Sequence, residues 1–351
     1  MELHVNLEKH SYPIHIEKGL LNKASFYITQ HFSGQRIVII ADNNVFPLYG
    51  NALLENLKDY DCTSIVLPAG EASKNFSNLP HIYQKLLAFQ ISRSDLLIAL
   101  GGGVMGDLIG FVAATYLRGI PFVQIPTSLL AQVDSSVGGK VGVDMAEGKN
   151  LIGAFYHPKL VLIDPLVLDT LPTRYRNDGM AEVIKYGCIK DKALFDQIKA
   201  AGSYAQLSKE IEHIIYRCVD IKRQVVEVDP LDKGERMLLN FGHTLGHALE
   251  QCFAYERESH GEAVAIGMAT ITKLAEEKGL TTSGTAKELI EVLKAYGLPI
   301  TSHTDFADIK KALALDKKFL SGTLNLILLK EIGNSYIHKS NLDFFVNLKT
   351  V

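Results

Sequence analysis

At 351 residues and 38.7 kDa, the chain is long enough for two domains, each with its own core, and its 47% hydrophobic and 21% charged content is that of an ordinary soluble globular protein. The net charge of -3, with both signs spread along the chain, excludes the basic tail or lysine-rich block that nucleic acid or anionic lipid would select. Any anion-binding role must therefore be local, built from a few placed cations.

Residues 1–20 carry Glu2, Glu8, Lys9 and Glu17 without an apolar core, unlike a signal peptide. Period-two alternation over 5–16, around Tyr12-Pro13, predicts an opening pair of strands. Residues 36–41 (RIVIIA) form a short β-branched run that empties into Asp42-Asn43-Asn44, as a buried parallel strand does. Residues 63–67 and 95–100 repeat the pattern, with helix-like segments between them. The weakly charged stretch 96–117 holds Gly101-Gly102-Gly103 and Asp107, which are costly in a bilayer. It reads as a buried strand, a turn and a buried helix. Strands at 122–125 and 160–163 complete the alternation, which argues a parallel α/β sheet.

After Leu171-Pro172 the texture changes. Segments 182–188, 207–226, 239–252 and 262–278 have helical periodicity, with few strand signals until 324–329. The expected organisation is an α/β domain with a parallel sheet over 1–172 and an all-α domain over 173–351. Cys62, Cys188, Cys218 and Cys252 show no C-x-x-C pairing and read as reduced core thiols of a cytoplasmic protein.

The run Gly101-Gly102-Gly103-Val104-Met105-Gly106-Asp107 satisfies G-x-G-x-x-G between a strand and a helix. Without Cβ atoms, its N–H groups can face a pyrophosphate at the positive helix end; a tight-packing turn would leave the same pattern. The acidic residue expected some twenty positions on is missing, because that region reads 122–127 (FVQIPT). Asp42 or Glu71 would have to hold the adenosine ribose instead.

His243 and His247, in Asn240-Phe241-Gly242-His243-Thr244-Leu245-Gly246-His247, stand at i and i+4 on one helix face, with Gly242 and Gly246 keeping the adjoining stripe open. His260 opens a further helix, and Glu182 and Lys185 lie one turn apart on an apolar segment. Two imidazoles and a carboxylate with an open position make a catalytic zinc-type site. The bland alternative is a set of capping or core-edge histidines, but charged groups on buried helices need partners. His247 is a ligand, a substrate hydrogen bonder or a proton relay. Arg118, Lys140, Lys149, Lys222 and Arg236 sit at segment ends. Each alone is an ordinary surface charge; gathered around a metal, they would suit a substrate with phosphate and carboxylate groups.

The runs 101–107 (GGGVMGD), 126–140 (PTSLLAQVDSSVGGK), 148–156 (GKNLIGAFY), 181–187 (AEVIKYG), 239–247 (LNFGHTLGH) and 260–268 (HGEAVAIGM) resemble the 3-dehydroquinate synthase family, and the resemblance runs from about residue 36 to Lys318. It implies a homodimer of an α/β nucleotide-binding domain and a helical metal-binding domain. The metal, zinc or cobalt, would sit on Glu182, His243 and His260. NAD would lie against Asp42, Asn44, Gly70, Glu71, Lys74, Gly103, Val104, Met105, Gly106, Asp107, Thr127, Ser128, Lys140, Lys149 and Thr170. Ser128 replaces the threonine of many members and keeps the hydroxyl. A phosphorylated sugar acid would meet Asp134, Lys140, Asn150, Lys185, Lys222, Arg236, Asn240 and His247. Lys222 and Arg236 would take its carboxylate; Lys140, Asn240 and His247 would take its phosphate. Arg118 would reach into a partner's site, and Lys317 or Lys318 would touch phosphate.

The implied reaction turns 3-deoxy-D-arabino-heptulosonate 7-phosphate into 3-dehydroquinate and phosphate. It proceeds by transient oxidation with NAD, phosphate elimination, re-reduction and an intramolecular aldol closure, with no net redox change. The alternatives are another sugar-phosphate cyclase, of the inosose or valiolone type, and a metal-dependent polyol dehydrogenase. The first has less use for Lys222 with Arg236, and the second for the cation cluster.

Overall fold

The structure, a computed structural model, describes residues 1–145, 148–253, 257–315, 323–346 and 348–351. It divides into two compact units, one of Met1–Pro172 with Lys222–Leu231 and one of Thr173–Ile221 with Asp232–Val351.

Among the described residues, the first unit has nine strands: β1 (Glu2–Val5), β2 (Tyr12–Ile16), β3 (Arg36–Asp42), β4 (Asp61–Leu67), β5 (Leu96–Gly101), β6 (Phe122–Pro126), β7 (Lys140–Met145), β8 (Gly148–Phe155) and β9 (Leu160–Ile163). Seven form one sheet in the order β1-β2-β9-β6-β5-β3-β4. All neighbours are parallel except β1 and β2. Every residue of β5 is buried, the signature of a parallel strand covered on both faces. Side chains alternate between those faces. Val38, Ile40, Leu97 and Ala99 pack with residues of helices Leu79–Ala88 and Gly103–Thr115. Ile37, Ile39, Leu96 and Ile98 pack with Leu20, Ile28, Leu53 and Leu57.

Strand order decides where a ligand can sit. From β3 the chain adds β4 on one side, then returns to add β5 on the other and continues outward through β6 and β9. The ends of β3 and β5 therefore flank the topological switch point, the crevice where open α/β sheets take their ligands. Asp42 ends β3 and Gly101 ends β5.

Three expectations change here. The break between the opening strands falls at the short turn Glu8–His10, and Pro13 lies inside β2, one residue before the parallel ladder with β9 begins at Ile14. The stretch around Lys140 and Asn150 is an antiparallel hairpin, β7 with β8, which its glycines concealed. Residues Lys222–Leu231 group with the first unit and not with the second. The Lys222 ammonium lies 2.8 Å from the Asp134 carboxylate, and the Asn6 N–H donates to Glu227 at 2.7 Å.

The second unit is mainly helical, with Thr173–Lys190, His243–Cys252 and His260–Glu277 central to the site. It is not all-α. Strands β10 (Leu324–Glu331) and β11 (Asn334–Ser340) form an antiparallel hairpin. The consecutive Leu326, Ile327, Leu328 and Leu329 of β10 are all buried.

Candidate active site

At the switch point, the Asp42 carboxylate accepts the N–H groups of Asn44 and Val45 at 2.8 and 2.9 Å through Oδ1. A Cβ built on Gly101 would stand 3.7 Å from the other oxygen, Oδ2. Asn44 thus serves the loop through its backbone. The following residues start helix Gly103–Thr115, whose first N–H groups have no partner within the helix. Gly106 allows the helix to press against the sheet, since a Cβ there would meet Gln124 Oε1 at 3.0 Å. Val104 lies on the same first turn, while Met105 turns inward and is buried. Thr127 donates its N–H to Gly101 at 2.9 Å, and Ser128 Oγ would lie 3.3 Å from a Cβ on Gly102. Thr170 Oγ1 stands 2.5 Å from the Tyr49 hydroxyl.

Beside this turn, Lys74 is buried among three carboxylates: Asp107 at 3.1 Å, Glu71 at 3.6 Å and Asp144 at 3.9 Å. Burial alone would lower its pKa, but the carboxylates outweigh it and hold the ammonium firmly charged. Lys149 reaches Glu71 at 3.4 Å. Gly70, in the left-handed region, turns the chain into Glu71. Asp144 ties the two segments together: its N–H donates to the Lys74 carbonyl at 2.7 Å, and its carboxylate accepts the Asn150 N–H at 2.7 Å. Asn150 itself has φ 53°, a conformation asparagine tolerates better than most residues. Sequence reading missed Asp144, and only the hairpin register brings it forward.

Lys140 is exposed at the start of β7. Lys222 contacts both the carboxylate and, at 2.7 Å, the carbonyl of Asp134. Arg118 is exposed, and with Leu117 and Gly119 it makes three successive residues of positive φ.

In the second unit, helix Thr173–Lys190 is buried continuously from Asp178 to Ile189. That places Glu182 and Lys185, 0% and 1% exposed, where water cannot solvate them. The two form an ion pair one turn apart. Helices His243–Cys252 and His260–Glu277 touch backbone to backbone. A Cβ on Gly242 would lie 2.7 Å from the Val264 carbonyl, and one on Gly267 only 2.0 Å from the Gly242 carbonyl. This approach sets the His243 and His260 rings 5.3 Å apart, with His247 within 6.0 Å of His260.

His260 begins its helix inside a capping box formed by Ser259 and Glu262. Asp178 braces that helix start, accepting the Ser259 hydroxyl and, at 2.9 Å, the Gly261 N–H. His243 turns Nδ1 toward the Phe241 carbonyl at 3.1 Å and Nε2 toward Glu182 Oε1 at 3.5 Å. His260 presents Nε2 to the same Oε1 at 3.7 Å and Nδ1 to Glu250 at 3.5 Å. Burial and the neighbouring Lys185 charge keep the His243 pKa well below its usual value, so its lone pair is free. Burial disfavours charge on His260, but Glu182 and Glu250 prevail and raise it to about 10.

Glu182, His243 and His260 offer ligand atoms that all lie within 4.8 Å of one another. The buried Glu182 Oε1 accepts no hydrogen bond, an expensive condition unless a cation takes that place. Two donors at about 2.1 Å from one tetrahedral ion stand roughly 3.4 Å apart, close to the 3.5 and 3.7 Å separations here. The donor set therefore fits a divalent cation. His247, Glu250 and His260 form a second such group. Glu250, seven residues after His243 on the same helix face, was not singled out from sequence, although that spacing is its signal. Arg236 is buried, and Asn240 ends the short helical turn Glu235–Asn240 just before His243. Lys317 and Lys318 lie outside the described residues. Among the described residues, no helix is long and apolar enough to cross a membrane.

Residues 64–178 match the family described as 3-dehydroquinate synthase N-terminal, and residues 179–319 match 3-dehydroquinate synthase C-terminal. A 3-dehydroquinate synthase of Clostridium perfringens is 56% identical over 98% of this chain and 99% of its own length. Among solved structures, a 2-deoxy-scyllo-inosose synthase complexed with carbaglucose-6-phosphate, NAD+ and Co2+ superposes with a TM-score of 0.88 at 25% identity, covering 98% of both chains. A 2-epi-5-epi-valiolone synthase of Streptomyces hygroscopicus with NAD+ and Zn2+ bound gives 0.86 at 30% identity, over 95% of this chain and 94% of that one.

Proposed function

This chain belongs to the 3-dehydroquinate synthase family and carries that activity, and we propose that its first unit holds NAD while its second holds one zinc or cobalt ion on Glu182, His243 and His260. The substrate is 3-deoxy-D-arabino-heptulosonate 7-phosphate and the products are 3-dehydroquinate and inorganic phosphate. That makes the enzyme a phosphate-eliminating carbon–oxygen lyase of the shikimate pathway to aromatic amino acids, acting in the cytoplasm. When bound, NAD supplies a temporary hydride acceptor and the metal ion polarises a substrate oxygen.

The chain's own groups bind and orient. Asp42, with Oδ2 beside Gly101, takes the adenosine ribose; Glu71 is already engaged by Lys74 and Lys149. The amides that open helix Gly103–Thr115 face the pyrophosphate, with Thr127 and Ser128 closing the turn. In the first unit, Lys222 is assigned to the substrate carboxylate, with Asp134 fixing its ammonium, and Lys140 and Asn150 are assigned to the phosphate. In the second, Arg236 is assigned to the carboxylate, and Asn240 and His247 to the phosphate. Lys185 stands against Glu182, and its charge opposes protonation of His243. His247, exposed one turn from His243, is placed to pass a proton to and from a substrate hydroxyl. The protein works as a homodimer in which Arg118 serves the partner's site. Positioning and fixed charge of this kind supply ~7 kcal/mol or more of barrier lowering.

One observation carries the reading: a fully buried carboxylate oxygen with no hydrogen bond, 3.5 and 3.7 Å from two imidazole nitrogens. The 56% identity to a 3-dehydroquinate synthase supports the carboxylate-bearing substrate over the carboxylate-free sugar phosphate of another cyclase. The test is phosphate release from the heptulosonate phosphate, with NADH absorbance followed in parallel. Phosphate should appear with catalytic NAD, without NADH build-up, and should stop on adding a chelator. Steady NADH formation from a simple polyol without phosphate release would make the protein a dehydrogenase.

A further inference from the structure

His260 is held between two carboxylates through opposite ring nitrogens, Nε2 toward Glu182 and Nδ1 toward Glu250. Of these two carboxylates, it is Glu182 whose buried oxygens accept no hydrogen bond. Glu250 is 3% exposed and sits on the inner stripe of helix His243–Cys252, seven residues after His243. A side chain so placed serves the cluster in one of two ways: as a ligand, in the group it forms with His247 and His260, or as a support for His260.

The arrangement of His243 decides between them. Its Nδ1 faces an acceptor, the Phe241 carbonyl, which leaves Nε2 to point at Glu182 Oε1. His260 repeats the pattern, with Glu250 in the carbonyl's role. In both rings the nitrogen away from Glu182 meets an oxygen, as an imidazole must if its near nitrogen is to keep a lone pair for an ion. Glu250 stands 3.5 Å from Nδ1. The rival group depends on His247, which is exposed, whereas Glu182 and His243 are both buried.

We infer that Glu250 is a positioning residue: its carboxylate accepts the Nδ1–H of His260 and so fixes the ring plane and the nitrogen offered to the divalent cation. This rests on Glu182, His243 and His260 being the ligands. Partners of this kind are worth roughly 10–100-fold in metal affinity, and the same range is expected for Glu250→Gln, which preserves volume but weakens the acceptor. Glu250→Asp, which keeps the charge on a shorter arm, should recover part of the loss.

The experiment measures Co2+ binding to the purified full chain by competition with a chelator at fixed pH, together with the visible spectrum of the Co2+ form and the thermal melt of the metal-free protein. Glu250→Gln should still take one ion per chain at saturation, with weaker affinity, a shifted tetrahedral band and an unchanged metal-free melt. Wild-type affinity and spectrum in that variant would overturn the inference. So would complete loss of the ion, which would make Glu250 a ligand. Glu182→Gln and His243→Ala distinguish the two levels: if they bind Co2+ as wild type does, the ligand assignment itself falls; if they lose the ion while Glu250→Gln is unaffected, only the role of Glu250 falls.

Discussion

The surroundings of Lys74 and of Glu182 can be compared directly, since each is a buried charge beside a helix end. Lys74 has three carboxylates within 3.9 Å, and one of them, Asp107, lies just past the first turn of the glycine-started helix. Its charge is answered by the fold. Glu182 has the ammonium of Lys185 on one oxygen and two imidazole nitrogens, but no hydrogen bond, around the other. A buried ionised group left partly unsatisfied costs several kcal/mol, so this second arrangement is complete only with a cation. The first region is electrostatically complete without a ligand. The second is a socket, and its stability is linked to occupancy.

The sharpest way to break that contrast is His243→Ala. It should remove the bound ion and lower phosphate release by at least ~10³-fold, since a polarising metal supplies several kcal/mol of transition-state stabilisation. NAD affinity, read by fluorescence quenching, should stay within about threefold of wild type on the same bookkeeping, because less than 1 kcal/mol is at stake. A parallel collapse of NAD binding would show that the two regions are not separate devices.

A smaller effect is expected at the edge of the first region. Lys222→Ala removes the ammonium 2.8 Å from Asp134. Truncating one partner of such a pair typically costs 2–5 kcal/mol, so kcat/KM should fall by about 100-fold, mostly through KM, with the metal still bound. Unchanged steady-state constants would remove Lys222 from the substrate assignment.

The mildest change sharpens the account of the glycine turn. Gly106→Ala places a Cβ 3.0 Å from Gln124 Oε1 and should weaken NAD by roughly tenfold, about 1.4 kcal/mol. If the cause is helix displacement by Gln124, adding Gln124→Ala restores most of the affinity. If the Cβ instead meets the pyrophosphate directly, the second change restores nothing.

These contrasts also show what could be read from residues alone. Strands β3, β5, β6 and β9 were legible because parallel strands buried on both faces are uninterrupted apolar runs. The i, i+4 histidines were legible because a helix puts them on one face. The β7–β8 hairpin was not, since its glycines read as loop and its pairing depends on a partner strand. Asp144 was missed because it acts on Lys74, a residue far along the chain, and no local spacing encodes that contact. Glu250 was missed although it shares a helix face with His243, because the partner it serves, His260, stands on the following helix. Gly267 was missed likewise, because its importance is the carbonyl of Gly242 that it faces. The membership of Lys222–Leu231 was misjudged because a helix carries no mark of which core its far end joins.

The central claim is that one divalent cation sits on Glu182, His243 and His260. Anomalous diffraction at the zinc edge, from crystals of the protein loaded with Zn2+, tests it most directly. The account predicts a single peak within about 2.0–2.2 Å of a Glu182 oxygen and of Nε2 of both histidines, the ordinary range for zinc. A peak coordinated instead by His247, Glu250 and His260, or no bound ion at full activity, would contradict it.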